Sequence, residues 1–287
     1  EQTDTWIQTS GQDVDVLFVV DNSGSMGEEQ GNLSSNFQTF INQAATWNND
    51  YHVGVVTTDL EGDSGLLQGD PRYVVNADWQ KFPNNVKVGT NGSGTEQGLA
   101  AAQAALSLPL IADSTQACNT DAECTEPDAC VEGFCGGPNR GFLRKEAALE
   151  IVFVSDEDDQ SQADLNFYEN FFKNLKGFFN ANMMHVHAIV GPPGGCTSGA
   201  GDAVAGNRYI DLANSTGGNV ISICEQDFSQ GLSSIGEIAF GLKVQFFLSR
   251  VPVPATIEVK VNGVPCLANG GGKTNWTYDE PSNAVVF

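Results

Sequence analysis

Asp21, Ser23 and Ser25 occupy alternate positions in Asp21-Asn22-Ser23-Gly24-Ser25, directly after the apolar run Val14–Val20. A strand that ends this way brings one carboxylate and two hydroxyls together at the carboxyl edge of a sheet. Oxygen-only donors of this kind suit a hard cation such as Mg²⁺. The alternative is a helix-capping turn, in which the same oxygens satisfy free amides. A second acidic stretch, Asp156-Glu157-Asp158-Asp159, follows the run Ile151–Val154 and Ser155. Adjacent like charges repel. The stretch therefore reads as a solvated acidic loop, or as a second cation site for Ca²⁺ built from Glu157, Asp158 and Asp159.

Such groups must be held by regular elements. Five short apolar runs, Val14–Val20, His52–Thr58, Glu150–Ser155, Met184–Val190 and Asn219–Cys224, have the texture of strands buried on both faces. Between them lie helical periodicities. Leu33, Phe37, Phe40, Ile41 and Ala44 share one face, as do Leu99, Ala102 and Leu106, and as do Leu165, Tyr168, Phe172, Leu175 and Phe179. A further helix is expected from Phe228 to Leu242. The alternation predicts an α/β fold with a doubly wound, mostly parallel sheet. In such sheets ligands sit beyond the carboxyl ends of the strands, where the strand order reverses.

The Asp21-x-Ser23-x-Ser25 motif, set between a buried strand and an amphipathic helix, resembles the first loop of the metal-ion-dependent adhesion site (MIDAS) of von Willebrand factor A and integrin I domains. The resemblance covers residues 12–243 apart from a cysteine-rich insertion at 109–141. It implies a Rossmann-like von Willebrand A domain with the strands before Asp21 and Asp156 side by side. It also implies a third hydroxyl from the segment Gly92-Ser93-Gly94-Thr95-Glu96-Gln97-Gly98-Leu99. Counting back from Leu99 gives Ser93, whereas side-chain identity gives Thr95. Asp156 takes the place of the third-loop aspartate, although the glycine usual after it is replaced by Glu157. On this pattern the hydroxyls of Ser23, Ser25 and Ser93 or Thr95 hold Mg²⁺, Mn²⁺ or Ca²⁺ directly. Asp21 and Asp156 act mainly through waters, and an open position on the ion attracts a carboxylate of a partner.

Seven cysteines point to an oxidising compartment. Cys118, Cys124, Cys130 and Cys135 lack zinc-ribbon spacing and have no histidine nearby, so two disulfides within the insertion are expected, with connectivity open. Cys196 and Cys224 follow strands that end at one sheet edge and are expected to pair. Cys266 has no evident partner. The stretch Cys118-Asn-Thr-Asp-Ala-Glu-Cys124 and the strings Thr57-Thr58-Asp59-Leu60 and Ser155-Asp156-Glu157-Asp158-Asp159 are similar to surface von Willebrand A lipoproteins of gliding and predatory deltaproteobacteria. Residues 244–287 carry short β-like runs split by Pro, Asn-Gly and Gly-Gly-Gly. They predict a small β subdomain, expected to be incomplete because Val285-Val286-Phe287 stops in mid-strand.

Thirty-six acidic residues against 13 basic leave a net charge of −23. That field opposes nucleic acid and anionic membrane surfaces. No run reaches the roughly 18 apolar residues of a membrane helix, so no direct membrane insertion is expected. Catalytic signatures for zinc proteases, phosphate loops and serine hydrolases are missing, and His52, His185 and His187 read as structural. The expected function is not enzymatic. It is an exported, cell-surface, adhesin-like module that captures an acidic protein or extracellular ligand through its cation, the alternative being a scaffold protein that docks partners elsewhere.

Overall fold

Strand β1 (Val14–Val20) is buried along its whole length, as an apolar run covered on both faces must be. The chain continues through α1 (Gly27–Trp47), β2 (Tyr51–Thr57), the short edge strand β3 (Tyr73–Val74), α2 (Gly98–Ala105), β4 (Ala148–Ser155) and α3 (Leu165–Asn174). It then forms β5 (Met184–Val190), α4 (Asn207–Thr216), β6 (Val220–Ser222) and α5 (Ser229–Phe240). This computed structural model describes residues 2–5, 13–125, 128–131, 133–177, 183–198, 201–241, 245–280 and 283–287. Phe179, Leu242, Val244 and the expected domain limits at 12 and 243 lie outside the described residues.

The sheet runs β6-β5-β4-β1-β2-β3, and only β3 is antiparallel to its neighbour. The strand order reverses between β1 and β4, whose register sets Val20 beside Val154. On one face Val16, Phe18 and Val20 pack under Leu33, Phe37 and Phe40 of α1 and Leu232, Ile235 and Phe240 of α5. On the other, Leu17, Val19, Ile151 and Phe153 pack under Leu99 of α2, Phe172 of α3 and Tyr209 and Leu212 of α4. Phe18 meets Phe37, Phe40 and Phe82 with ring centroids 5.1–6.2 Å apart. Each fully buried ring of this kind contributes about 1.5–3 kcal/mol by leaving water. The doubly wound sheet read from the alternation of runs is the one observed.

Buried charges lie at the opposite, amino end of the strands. Asp15, fully buried, accepts from the Arg144 amide (2.6 Å) and Nε (2.8 Å), with Lys176 Nζ 3.7 Å away. Glu150 sits between His185 Nδ1 (3.0 Å) and His187 Nε2 (2.9 Å). Burial pushes the Glu150 carboxyl up, but the two imidazoles more than offset this and hold it below its ordinary value. The Asn219 amide donates to His187 Nδ1 (3.0 Å), which leaves Nε2 to face Glu150. These histidines are structural, as expected.

Three local features depart from the sequence reading. Helix α4 is unforeseen, although Tyr209, Ile210, Leu212 and Ala213 repeat along its buried face and Gly217 ends it in a left-handed conformation. The stretch after β5, for which the sequence reading expects no strand, pairs Cys196–Ser198 with Gly201–Ala203 and is tied to the end of β6 by Cys196–Cys224. The insertion also has a hairpin, Ala129–Val131 with Phe134–Gly136, closed by Cys118–Cys130 and Cys124–Cys135. Its base is nailed to the body by buried Asn139, which donates to Gly65 O and Ala105 O and accepts from the Leu67 amide. Ala105 ends α2, so that anchor lies away from the carboxyl edge of the sheet. Toward the C-terminus, Gln245–Phe247, Ala284–Val286 and Thr277–Asp279 make a small antiparallel sheet, flanked by two-stranded hairpins. Cys266 is a free, partly buried thiol among the described residues.

Candidate metal centre

Asp21 is the first residue beyond β1, at the point where the strand order reverses. Its amide still donates to Val154 O of β4 (2.9 Å), which pins it between the two central strands. Its side chain is fully buried. Oδ1 accepts from the Ser23 amide (2.7 Å) and Oδ2 from the Ser155 hydroxyl (2.7 Å). From α1, Gln30 Nε2 donates to Asp21 O (2.9 Å) and Gly89 O (2.8 Å), while Gln30 Oε1 accepts from the Gly89 amide (3.2 Å). One glutamine thus clamps the end of β1 to the approach of the 89–97 segment.

Ser23 Oγ lies 3.2 Å from Ser25 Oγ, and the Ser25 side chain hydrogen-bonds Asp156. The Asp-x-Ser-x-Ser turn and the end of β4 therefore converge through side chains. Asp156 is 7% exposed, and its Oδ1 has no hydrogen-bond donor. Burial pushes its carboxyl up; the Ser25 bond lowers it, and the Asp21 charge raises it further. Burial, with the charges of Asp156 and Asp21, also raises Glu157.

The second loop carries Ser93, Thr95 and Glu96. Ser93 Oγ accepts from the Thr95 amide (3.0 Å) and the Ser93 amide donates to Asp59 Oδ2 (3.1 Å), while Thr95 is exposed. Glu96 is the residue that enters the site. It is fully buried, accepts from the Thr58 hydroxyl and shares a hydrogen-bonding contact with the Asp21 carboxyl. Backbone bonds hold it there: Gln97 N to Thr58 O (3.0 Å) and Gln160 N to Glu96 O (2.6 Å). Burial and the neighbouring charges of Asp21 and Glu157, against the Thr58 bond, push Glu96 up to about 8. Sequence reasoning missed Glu96 because it counted hydroxyls. The available signal was a carboxylate one residue beyond Thr95 and immediately before the helix.

The acidic loop is only partly in the site. Asp159 Oδ1 accepts from the Leu99 amide (3.0 Å) and from Ser161 Oγ (2.7 Å), and Oδ2 lies 3.0 Å from Arg208 Nε. Ser161 Oγ accepts in turn from the Ala100 amide (2.9 Å). Asp158 Oδ1 accepts from the Arg208 amide at the start of α4 (2.9 Å). Asp158 and Asp159 thus satisfy the free amides at the starts of α4 and α2. Of the three residues expected around a second Ca²⁺, Asp158 spends Oδ1, and Asp159 both oxygens, on donors of the neighbouring elements. Only Glu157 of the three remains beside Asp156. Asp59, similarly, caps the short helix Leu60–Asp63 through the Gly62 amide (2.8 Å).

No family model and no curated protein sequence matches the chain. Solved structures with a similar course of the backbone include proximal thread matrix protein 1 from the mussel byssus, at TM-score 0.45 and 11% identity, covering 82% of this chain and 50% of that one. A second structure of the mussel protein, described with a zinc-occupied MIDAS motif, gives TM-score 0.42 and 12% identity over the same shares. An aerotolerance-related membrane protein from Bacteroides fragilis gives TM-score 0.40 and 12% identity, covering 79% of this chain and 98% of that one. The chain spans half the length of the mussel protein. At this identity the site is read from its own residues.

Those residues present oxygen donors only. Among the described residues, no three carboxylates bring one oxygen each within 4.8 Å of one another. The one His, Cys, Asp or Glu group that does is Cys118, Cys124 and Cys135, whose sulfurs are used in disulfides. A cation at Asp21 would therefore be met by no more than two carboxylates directly, with the serine hydroxyls completing the protein's share. Beside the site a groove of about 570 Å³ is lined by Asp156, Glu157, Gly194, Cys196, Thr197 and Asp202. The Cys196–Cys224 bridge makes one of its walls rigid.

Proposed function

We propose that this chain is a metal-dependent binding module. Asp21, Ser23, Ser25 and Asp156 would hold a divalent cation at the reversal of strand order, and the cation would capture an acidic group of a partner protein. The observation that carries this reading is the convergence on Asp21. The fully buried Asp21 carboxylate accepts from the Ser23 amide and adjoins a second buried carboxylate, Asp156, which bonds the Ser25 side chain, itself paired with the Ser23 hydroxyl, and keeps an oxygen that no donor reaches. Buried acceptors left in this state are costly, and a cation compensates them. All-oxygen donors favour Mg²⁺, Mn²⁺ or Ca²⁺. When bound, such an ion supplies a Lewis-acidic position to a carboxylate. The protein's own part is to hold the hydroxyls and to exclude water from Asp21.

The three disulfides support an oxidising, extracellular or cell-surface setting, and with it the adhesin-like role. Among the described residues no helix is long and apolar enough to cross a membrane. The net charge of −23 makes capture of an acidic partner depend on the ion, because the bulk field repels such a partner. Isothermal titration of the metal-free protein with Mn²⁺ tests the reading. One equivalent should bind to the wild type and none to Asp21→Ala. Equal binding by the two proteins removes the site.

A further inference from the structure

Two carboxyl groups meet inside the site. The carboxyls of Asp21 and Glu96 are both fully buried and share a hydrogen-bonding contact. Glu96 has one donor, the Thr58 hydroxyl on Oε2. Its Oε1 has no donor at all, and neither has Oδ1 of Asp156, which also contacts Asp21. The hydroxyl of Tyr209, fully buried, stacked on Phe153 at 4.7 Å and within the field of Asp21 and Glu96, is also without a partner. Two buried carboxyls, each in contact with Asp21 and each with an unpartnered oxygen, are more than a packed interior tolerates without a missing member. Carboxylates side by side in a buried place require something positive between them.

Glu96 is also held too firmly for a chance approach. Its own carbonyl accepts from Gln160 of the β4 loop, and the next amide donates to Thr58 beyond β2. Both flanking strands thus fix the backbone from which the side chain reaches Asp21. The following helix, α2, is capped from outside by Asp159 and Ser161. Glu96 is therefore released from the capping task that an acidic residue at this position would otherwise perform.

We infer that Glu96 is an anionic ligand of the cation, so that the second loop contributes a carboxylate where Ser93 or Thr95 would contribute a hydroxyl. This rests on the reading of Asp21 as a cation site. Asp21 and Glu96 form the charged pair that meets the ion directly, Asp156 acts on it through water, Ser23 and Ser25 add neutral oxygens, and the Thr58 hydroxyl positions Glu96. Two carboxylates neutralise a divalent charge. The free protein then retains its ion tightly, and the ion is a weaker acceptor for a partner's carboxylate than one held by hydroxyls alone. Partner capture consequently leans on the neighbouring groove as well as on the metal.

The test is Mn²⁺ titration calorimetry of the metal-free wild type, Glu96→Gln and Asp21→Ala, each checked for folding by near-ultraviolet circular dichroism. Glu96→Gln keeps the shape and removes the charge. A loss of affinity of at least about tenfold in Glu96→Gln, with Asp21→Ala not binding, is the expected result. Wild-type affinity in Glu96→Gln, with Asp21→Ala not binding, overturns the inference and makes Glu96 a protonated spacer, while the site itself stands. Wild-type affinity in Asp21→Ala overturns the site. If Glu96→Gln does not fold, Glu96→Asp keeps the charge but withdraws it by one methylene. Weakened binding then supports ligation, and unchanged binding overturns it.

Discussion

The Ser155 hydroxyl donates to Asp21 Oδ2 at 2.7 Å, joining the residue that ends β4 to the residue that follows β1. The same hydroxyl oxygen accepts from the Glu157 amide at 3.1 Å, so one serine orients both acidic turns. Ser155→Ala leaves a buried carboxylate oxygen without a donor, which costs about 1.5–3 kcal/mol for a charged acceptor. Urea unfolding of the metal-free protein should show that loss. Saturating Mn²⁺ should recover part of it, because the ion compensates the same oxygen.

Stability of the metal-free protein should fall as pH rises from about 5 to 8. Burial and the charges of Asp21 and Glu157 raise Glu96 from 4.5 to about 8. Between those values the folded chain binds a proton that the unfolded chain has lost, so unfolding is favoured as pH increases. Asp156 and Glu29 are also raised, chiefly by burial, and act in the same sense. Thermal melts across this range should show a decline that is flattened in Glu96→Gln. A rising or flat wild-type profile contradicts the placement of Glu96.

Divalent cations should stabilise the fold by mass action. At a hundred times the dissociation constant the gain is about 2.7 kcal/mol, which moves the melting temperature of a chain of this size by several degrees. Chelation should reverse it. The increment should vanish in Ser23→Ala/Ser25→Ala, and the fold of that variant should persist, because both serines lie in the turn beyond β1 and not in either core cluster.

Asp159→Asn should destabilise the protein by about 1–2 kcal/mol through loss of the charged cap on α2 and of the Arg208 pairing. It should leave Mn²⁺ affinity within about twofold of wild type. Calcium titration should likewise find no site that depends on Asp158 and Asp159. A Ca²⁺ equivalent lost only in these variants would restore the second-cation reading.

Peptide mapping without reduction should recover Cys118–Cys130, Cys124–Cys135 and Cys196–Cys224. Replacing Cys196 and Cys224 by serine should cost about 2–4 kcal/mol and loosen the hairpin beside Asp156. The local result is a rise in proteolytic cleavage within 196–203 in that variant alone.

The elements that hold the site were legible along the chain. Val14–Val20, Ile151–Ser155 and Met184–Val190 are apolar at nearly every position, which only a strand covered on both faces explains. The Asp-x-Ser-x-Ser turn lies next to β1, so its place at the sheet edge follows from local order. The pairing of Cys196 with Cys224 was legible for the same reason, because both follow adjacent strands. Other features were decided by the tertiary structure, because they depend on what packs across a gap. Ser93, Thr95 and Glu96 are successive candidates in one turn, and which of them points inward depends on the contacts of that turn with Thr58 and Gln160. Asp158 and Asp159 look like metal ligands in isolation. They become helix caps only because the amides of Leu99 and Arg208, distant in sequence, are brought beneath them. The connectivity within the insertion was also left to the fold, since four cysteines permit three pairings and the fold joins Cys118 to Cys130 and Cys124 to Cys135. Local pattern sets where a strand ends and a turn begins, whereas the burial of a charge depends on neighbours that the linear order does not name.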